Sequence, residues 1–437
     1  MLFIKKNILI ISYSYPPSNA PAAQRPFSIA KYIDKEKFNV TVITCSNPES
    51  SLGFDDKYSN ILEGVKIISI KDLINSTTIT TFRKNNNIEQ NKNLKTTFKG
   101  AIFKVLNYMI IPDRVIFWYI NVIRYLNKNT SLINETNIVL STSPAFSNHL
   151  IAKFIKKKNK SIKWIADFRD FHFLKTTENK RDLKSLINQN LENSIIKKSD
   201  IITFISQSMK NVYSEHFNSS MNKMFTIYNG FDNEDLNTSN ISNTQNSKLS
   251  IFYSGSFYSG LRSPKPLLEI IDKLFERQII SENKIEINIV GNFENQLKSE
   301  ISNFKSFKCI NFIGRLNRNE VLKKQLEADL LWLIVGEKIT HYTGLPLKFF
   351  EYINTRRPII NFAPIISEPS TIINKYNLGW NIDPEKHSFD YQIQVFREIV
   401  NKYNDGSLKN PIKQNKFEEF NRKYQTKQFE DLITKIN

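Results

Sequence analysis

Residues 8–25 read ILIISYSYPPSNAPAAQR: an unbroken apolar run, a loop of Tyr, Pro, Ser and Ala, then entry into a helix near Gln24 and Arg25. An apolar run without polar alternation is what a strand buried on both faces of a parallel sheet requires. The same order of apolar run and helical pattern recurs at 40–44, 65–70, 138–141, 163–166 and 201–205. It restarts at 249–254, 285–290, 309–313, 330–334, 358–361 and 379–382. Repetition of strand and helix predicts the α/β class, with βα units building parallel sheets.

Two polar tracts interrupt this rhythm. Residues 75–99 read as an excursion from the first domain, and 237–248 (NTSNISNTQNSK) as a linker. The expected layout is therefore a Rossmann-like N-terminal domain over 1–236, the linker at 237–248 and a second Rossmann-like domain over 249–395. Helices are expected from 396 to 437, with Phe396, Ile399 and Val400 at helical spacing, and the end of this stretch could pack back on the N-terminal domain. Two doubly wound domains facing each other across a cleft would take a ligand at the carboxyl ends of their strands.

Composition narrows the classes. The chain has 437 residues, 61 Lys and Arg against 42 Asp and Glu, and a net charge of +19. An apolar fraction of 40% is too high for disorder. Cys45 and Cys309 are too few for a disulfide framework and fit a reducing cytoplasm. The N-terminal apolar run is too short for a secretory signal and lacks a cleavage site. The hydrophobic stretch 101–126 is broken by Lys104, Pro112, Asp113, Arg114 and Arg124, so no membrane span is expected and an amphipathic helix pair packed on the core is. A basic excess attracts phosphate groups, on a small molecule, a membrane or nucleic acid.

Four stretches carry chemistry. In the first loop, small residues Ala20, Ala22 and Ala23 let backbone amides approach a ligand, and Arg25 suits a phosphate or carboxylate. Residues 164–172, WIADFRDFH, run from a strand straight into Asp167, Arg169, Asp170 and His172, which is costly unless they meet a ligand or each other. Asp167 and Asp170 lack the DxD spacing of a metal site, and no metal is expected. Residues 253–266, YSGSFYSGLRSPKP, place Gly255 and Gly260 in a close loop and Arg262 and Lys265 before a helix, which suits a diphosphate. Residues 336–361, GEKITHYTGLPLKFFEYINTRRPIIN, bring a loop through Gly344 and Leu345 to Lys348 and Glu351 on one helix face. Amides at that helix start suit a phosphate, and a carboxylate suits a ribose diol. Neither a GxGxxG fingerprint nor a P-loop occurs.

Read together, these motifs resemble the GT-B fold retaining nucleotide-sugar glycosyltransferases of the bacterial surface-polysaccharide type, glycosyltransferase family 4-like. The resemblance spans nearly the whole chain and rests on YPP…AAQR, LSTSPAFSNHLIA (140–152), WIADFRD, SDIITFIS (199–206), IYNGFD (227–232), YSGSFYSGLR and GLPLKFFEY. It implies a nucleotide-diphosphate sugar as donor substrate with no separate cofactor. It implies a saccharide or lipid-linked glycan as acceptor, and work at the cytoplasmic face of the inner membrane, where an anionic surface would meet the basic protein. It implies that Gly255, Arg262, Lys265, Gly344, Leu345, Lys348 and Glu351 hold the donor. Ala22, Ala23, Arg25, Arg169 and Asp170 would lie on the acceptor side, with Asp170, His172 and Arg262 closest to the chemistry. Thr343 stands where the family carries the first of two paired acids, with Glu337 or loop backbone as substitutes. Three other readings compete: a nucleotide-sugar 2-epimerase of the same fold, a non-catalytic GT-B protein and a nucleic-acid-binding protein. Scattered basic residues without a recognition module argue against the last.

Overall fold

A computed structural model describes residues 5–18, 20–46, 62–72, 110–172, 182–217, 221–235, 247–257, 262–409 and 417–436. Gly260, the excursion at 75–99 and most of the tract at 237–248 lie outside these residues. The chain forms two compact units, one from Met1–Tyr228 with Arg422–Asn437, the other from Asn229–Asn421.

The first unit is built on a parallel sheet of seven strands: β1 (Lys6–Ile11), β2 (Phe38–Cys45), β3 (Val65–Ile70), β4 (Ile138–Thr142), β5 (Lys163–Phe168), β6 (Ile201–Phe204) and β7 (Met224–Thr226). Their order is β3-β2-β1-β4-β5-β6-β7, so β1 pairs with β2 on one side and β4 on the other, with Ile8 facing Val40 and Ile138. Alternate residues of β1 serve opposite faces. Ile8 and Ile10 join Phe27 and Val40 in one buried cluster, while Leu9 and Ile11 join Trp118 and Trp164 in another. Both faces are covered, which is why the run shows no polar alternation. The short edge strand β7 has no signal in the sequence beyond a three-residue apolar stretch.

The helix Ile116–Lys128 buries Trp118, Val122 and Leu126 completely, and the Trp118 Nε1–H donates to Ile70 O at 2.9 Å. Its apolar stripe is therefore core. Among the described residues no helix is long and apolar enough to cross a membrane.

The second unit holds a parallel sheet of six strands: β8 (Leu249–Ser254), β9 (Ile285–Val290), β10 (Ile310–Gly314), β11 (Leu330–Ile334), β12 (Ile359–Phe362) and β13 (Gly379–Ile382). Their order, β10-β9-β8-β11-β12-β13, reverses direction between β8 and β11, as in a dinucleotide-binding sheet. The helix Phe389–Asn404 packs against the helix Lys265–Glu276 and buries Phe396, Ile399 and Val400 in this unit's core. That apolar stripe is used locally. The returning segment is the helix Arg422–Lys435, whose Phe429, Leu432 and Ile433 join Phe27 and Ile29.

Candidate functional site

In the second unit, three adjacent strands end in glycines with positive φ: Gly255 after β8 at +130°, Gly291 after β9 at +135° and Gly314 closing β10 at +85°. The Gly255 N–H donates to Val290 O at 2.8 Å, and the Gly291 N–H to Gly314 O at 2.8 Å. A Cβ on Gly291 would lie 2.3 Å from Gly255 O, so a side chain there is excluded both by contact and by conformation. Sequence reading singled out Gly255 and missed Gly291, although a lone glycine directly after an apolar run was its signal.

The helix Leu347–Thr355 begins beside this edge. Its N-cap is Pro346 and no side chain caps it, so the positive end of the helix is left to other partners. From its first turn Lys348 reaches back to β8: Nζ donates to Ser254 O at 2.7 Å and lies 4.0 Å from the centroid of the Tyr253 ring. Burial, reinforced by the Arg262 charge, pushes the Lys348 pKa well down, against the opposing pull of Glu351. Arg262 is half-buried and donates from Nη1 to Ser256 O at 3.4 Å. Glu351, one turn beyond Lys348, is held loosely, with Oε1 3.7 Å from Arg318 Nε and Oε2 3.4 Å from Gln325 Nε2. Gly255, Arg262, Lys348 and Glu351 thus share one electrostatic neighbourhood, and Lys348 and Glu351 do not simply pair with each other.

The remaining donor-side residues differ. Lys265 begins the helix Lys265–Glu276, but its Nζ pairs with Glu300 at 3.3 Å, directing it toward a neighbouring helix. Gly344 and Leu345 belong to the loop before Leu347, with Leu345 buried. Thr343 is only 2% exposed and its hydroxyl donates to Ile339 O, one turn back. Glu337 is exposed, and burial together with Glu385 and Asp383 raises its pKa. Its surroundings are therefore acidic.

In the first unit, the four ionisable groups at and just beyond the end of β5 have separate fates. Asp167 is fully buried and accepts from Arg25 Nε at 3.0 Å, Arg25 Nη2 at 2.9 Å, Thr142 at 2.7 Å and Thr203 at 2.7 Å. Arg25 also donates to Tyr228 O and Ile227 O and lies 5.2 Å from the Phe429 ring centroid. The carboxylate that Arg25 meets belongs to its own chain. The helix Pro21–Tyr32 starts at Pro21, earlier than the sequence suggests, because proline presets the φ of a first helical position. Ala22 and Ala23 are consequently helical residues, with Ala23 buried against the core.

Arg169 is buried and donates from Nε to Ser143 O at 2.6 Å, while Asp170 is exposed. His172 stacks on Phe146 at 4.0 Å with its planes 14° apart, and its Nε2 lies 3.2 Å from Asn188 Oδ1. Sequence reading gave His149 no role. It is fully buried, stacks on Phe168 at 4.6 Å, and joins Ser141 Oγ through Nδ1 at 2.8 Å. Burial, with the His172 and Arg169 charges adding to it against Asp167, pushes its pKa down to about 3.

No protein-family model matches the chain, and no curated protein matches it significantly. Solved structures do. A sucrose-phosphate synthase from Thermosynechococcus elongatus superposes with a TM-score of 0.63 at 10% identity over 99% of both chains. A glycosyltransferase from Rickettsia africae gives 0.58 at 14% identity, also over 99% of both. The lipopolysaccharide outer core galactosyltransferase WaaB gives 0.58 at 12% identity, over 99% of this chain and 100% of its own. At such identities the likeness establishes the fold: this chain has the GT-B fold of two Rossmann-like α/β domains.

Proposed function

We propose that the protein is a glycosyltransferase that moves a sugar, with retention, from a nucleotide-diphosphate sugar to a saccharide or lipid-linked acceptor in surface-polysaccharide synthesis. One observation carries this reading. Lys348 Nζ donates to Ser254 O at 2.7 Å and Arg262 Nη1 to Ser256 O at 3.4 Å, so two cationic side chains meet the same short stretch at the end of β8. Holding two cations together costs free energy that a diphosphate between them would recover. Glu351, a turn along the same helix, then suits the ribose diol of the nucleotide.

Leaving of the nucleoside diphosphate places negative charge on the β-phosphate as the bond to the sugar anomeric carbon breaks. Fixed cations and an uncapped helix start favour that charge most when it is fully developed, which is the condition for catalysis. In this reading Arg262 and Lys348 supply the neutralising charge without a metal, and the acceptor hydroxyl forms the new bond to the same carbon on the face the phosphate leaves, passing its proton to the departing β-phosphate. Asp170 and His172 in the first unit are the residues assigned to the acceptor side.

Peripheral binding to an anionic membrane on the cytoplasmic side is part of the same proposal. Exposed Lys157, Lys158, Lys197 and Lys198 close two helices of the first unit and offer the charge. Binding to vesicles should increase with anionic lipid content and weaken with salt. The central test is a thermal-shift screen of the purified protein against nucleotide sugars, followed by nucleotide release. A stabilising donor that is turned over supports the reading, and the absence of both effects for every donor overturns it.

A further inference from the structure

The proposed reaction leaves Arg169 unexplained. It follows β5 directly, is 7% exposed, and keeps its Nη2 enclosed without a hydrogen-bond partner. Nε is taken by Ser143 O at 2.6 Å, and the backbone N–H lies 3.4 Å from Ser143 Oγ. Asp167, the buried acid two residues earlier, is claimed by Arg25 through both carboxylate oxygens. Asp167 and exposed Asp170 both act on Arg169 as electrostatic neighbours. The guanidinium therefore sits buried at the carboxyl end of the sheet with Asp167 and Asp170 as charged neighbours, yet its Nη2 donates to neither, and an enclosed donor left unanswered is costly until an acceptor completes it.

Two further donors around the same loop are unanswered. His149 Nε2 and Asn188 Nδ2 are enclosed without partners, in residues that are 0% exposed. Trp164 Nε1 donates to Ser141 Oγ at 2.8 Å, and that hydroxyl can then pass its own hydrogen to His149 Nδ1 at 2.8 Å. His149 is then neutral with its proton on Nε2. Asn188 reaches the loop through His172, which stacks on Phe146, and His149 meets the edge of the same Phe146 ring at 5.6 Å. Donors without acceptors call for an oxygen-rich ligand.

We propose that Arg169 anchors an oxyanion subsite, for a phosphate or carboxylate group, beside residues 143–146 at the carboxyl edge of the first sheet. Resting on the transferase reading, the acceptor then carries such a group, and the subsite orients it. Arg169 belongs to the first unit and Arg262 to the second.

The test is calorimetric titration of the full chain with inorganic phosphate and, separately, with malonate, with no nucleotide sugar present. Arg262→Ala serves as the background, so that phosphate uptake in the second unit is suppressed. At least one probe should bind this variant, and adding Arg169→Gln should weaken that probe tenfold or more. The probe that responds identifies the group as phosphate or carboxylate. Equal binding with and without Arg169, or no binding of either probe, overturns the proposal. Glutamine keeps an amide donor for Ser143 O and removes a buried charge, so the anion-free melting temperature should be unchanged or higher. Should that variant fail to fold, Asp170→Asn in the same background gives the second reading. Removing the competing carboxylate should tighten the anion several-fold, and an unchanged affinity overturns the proposal. A protein that binds phosphate through Arg169 but takes no nucleotide sugar would keep the subsite and lose the transferase reading, so the two can fail separately.

Discussion

Arg25 and Asp167, 142 residues apart in sequence, meet in a two-pronged ion pair, with Nε 3.0 Å from Oδ2 and Nη2 2.9 Å from Oδ1. The pair ties the first helix to β5 at the carboxyl edge of the first sheet. Burial acts to raise the Asp167 pKa, but the Arg25 charge and hydrogen bonds, the Arg169 charge and the Thr203 hydrogen bond outweigh it, and the net shift is downward. Arg25→Ala, which strands a buried carboxylate, should destabilise the first unit by about 3–5 kcal/mol in urea unfolding. A folded-state pKa below the unfolded one means that the stabilisation is present above about pH 4 and lost as the pH falls through the folded value. Loss below about 1 kcal/mol would show that the pair is not needed for stability.

His149 gives a second pH dependence in a different window. Its folded pKa of about 3 lies below the ordinary histidine value of about 6.5, so its contribution is complete above pH 6.5 and disappears as the pH falls toward 3. Within that window the unfolded chain binds a proton that the folded chain refuses, and stability should fall by up to about 1.4 kcal/mol per pH unit. His149→Gln should flatten the stability profile between pH 6.5 and 4. An identical slope in variant and wild type would contradict the assignment.

Gly291→Ala should destabilise the second unit by roughly 2 kcal/mol or more, because positive φ and the 2.3 Å approach to Gly255 O act together. Gly255→Ala meets Lys348 Nζ at 3.1 Å, a flexible group that can yield, so its effect on folding should be smaller. Paired urea melts measure the order, and a larger loss for Gly255 would reverse it.

Arg262→Ala and Glu351→Ala should each weaken nucleoside-diphosphate binding, by about tenfold or more for the arginine, with little change in melting temperature. Arg262→Ala should also raise the Lys348 pKa, since the charge that depresses it alongside burial is removed. Isotope-edited NMR of the lysine methylenes reads that shift directly. Unaltered affinity in both variants would move the donor site elsewhere in the fold.

Thr343→Glu restores an acid at the position where the resembled family has one. The Thr343 side chain is buried and bonded to Ile339 O, so a carboxylate there loses hydration and faces a carbonyl oxygen. The substitution should lower the melting temperature by several degrees, whereas Thr343→Val should cost only about 1 kcal/mol for the lost hydrogen bond. A Thr343→Glu protein with wild-type stability and higher turnover would show that the loop rearranges to present the acid.

The strands were legible because both faces of each sheet are covered. Residues such as Leu9 and Ile10 serve opposite clusters, and the sequence displays this as continuous apolarity. Motif order gave the placement of Lys348 and Glu351, since both lie on one helix after a recognisable loop. What stayed hidden were partners set by topology. Nothing local to residues 164–172 shows that Asp167 takes Arg25, or that Arg169 keeps an enclosed Nη2 without a hydrogen-bond partner. Nor could helical spacing show that Phe396, Ile399 and Val400 turn into the second core while Phe429 turns into the first. Periodicity defines a stripe and leaves open which surface receives it.

The helix Arg422–Lys435 completes the core that the helix Pro21–Tyr32 begins, with Arg422 bonded to Gln24 and Phe429 lying over Arg25. During synthesis, residues 21–32 leave the ribosome nearly 400 residues before their packing partner exists. At typical elongation rates of about 5–20 residues per second, the first sheet must wait about 20–80 seconds with that flank uncovered. The second unit, contiguous in sequence, can finish folding first. A chain interrupted after residue 421 would carry a folded second unit beside a first unit whose apolar flank has nothing to cover it, a natural substrate for chaperones and proteases.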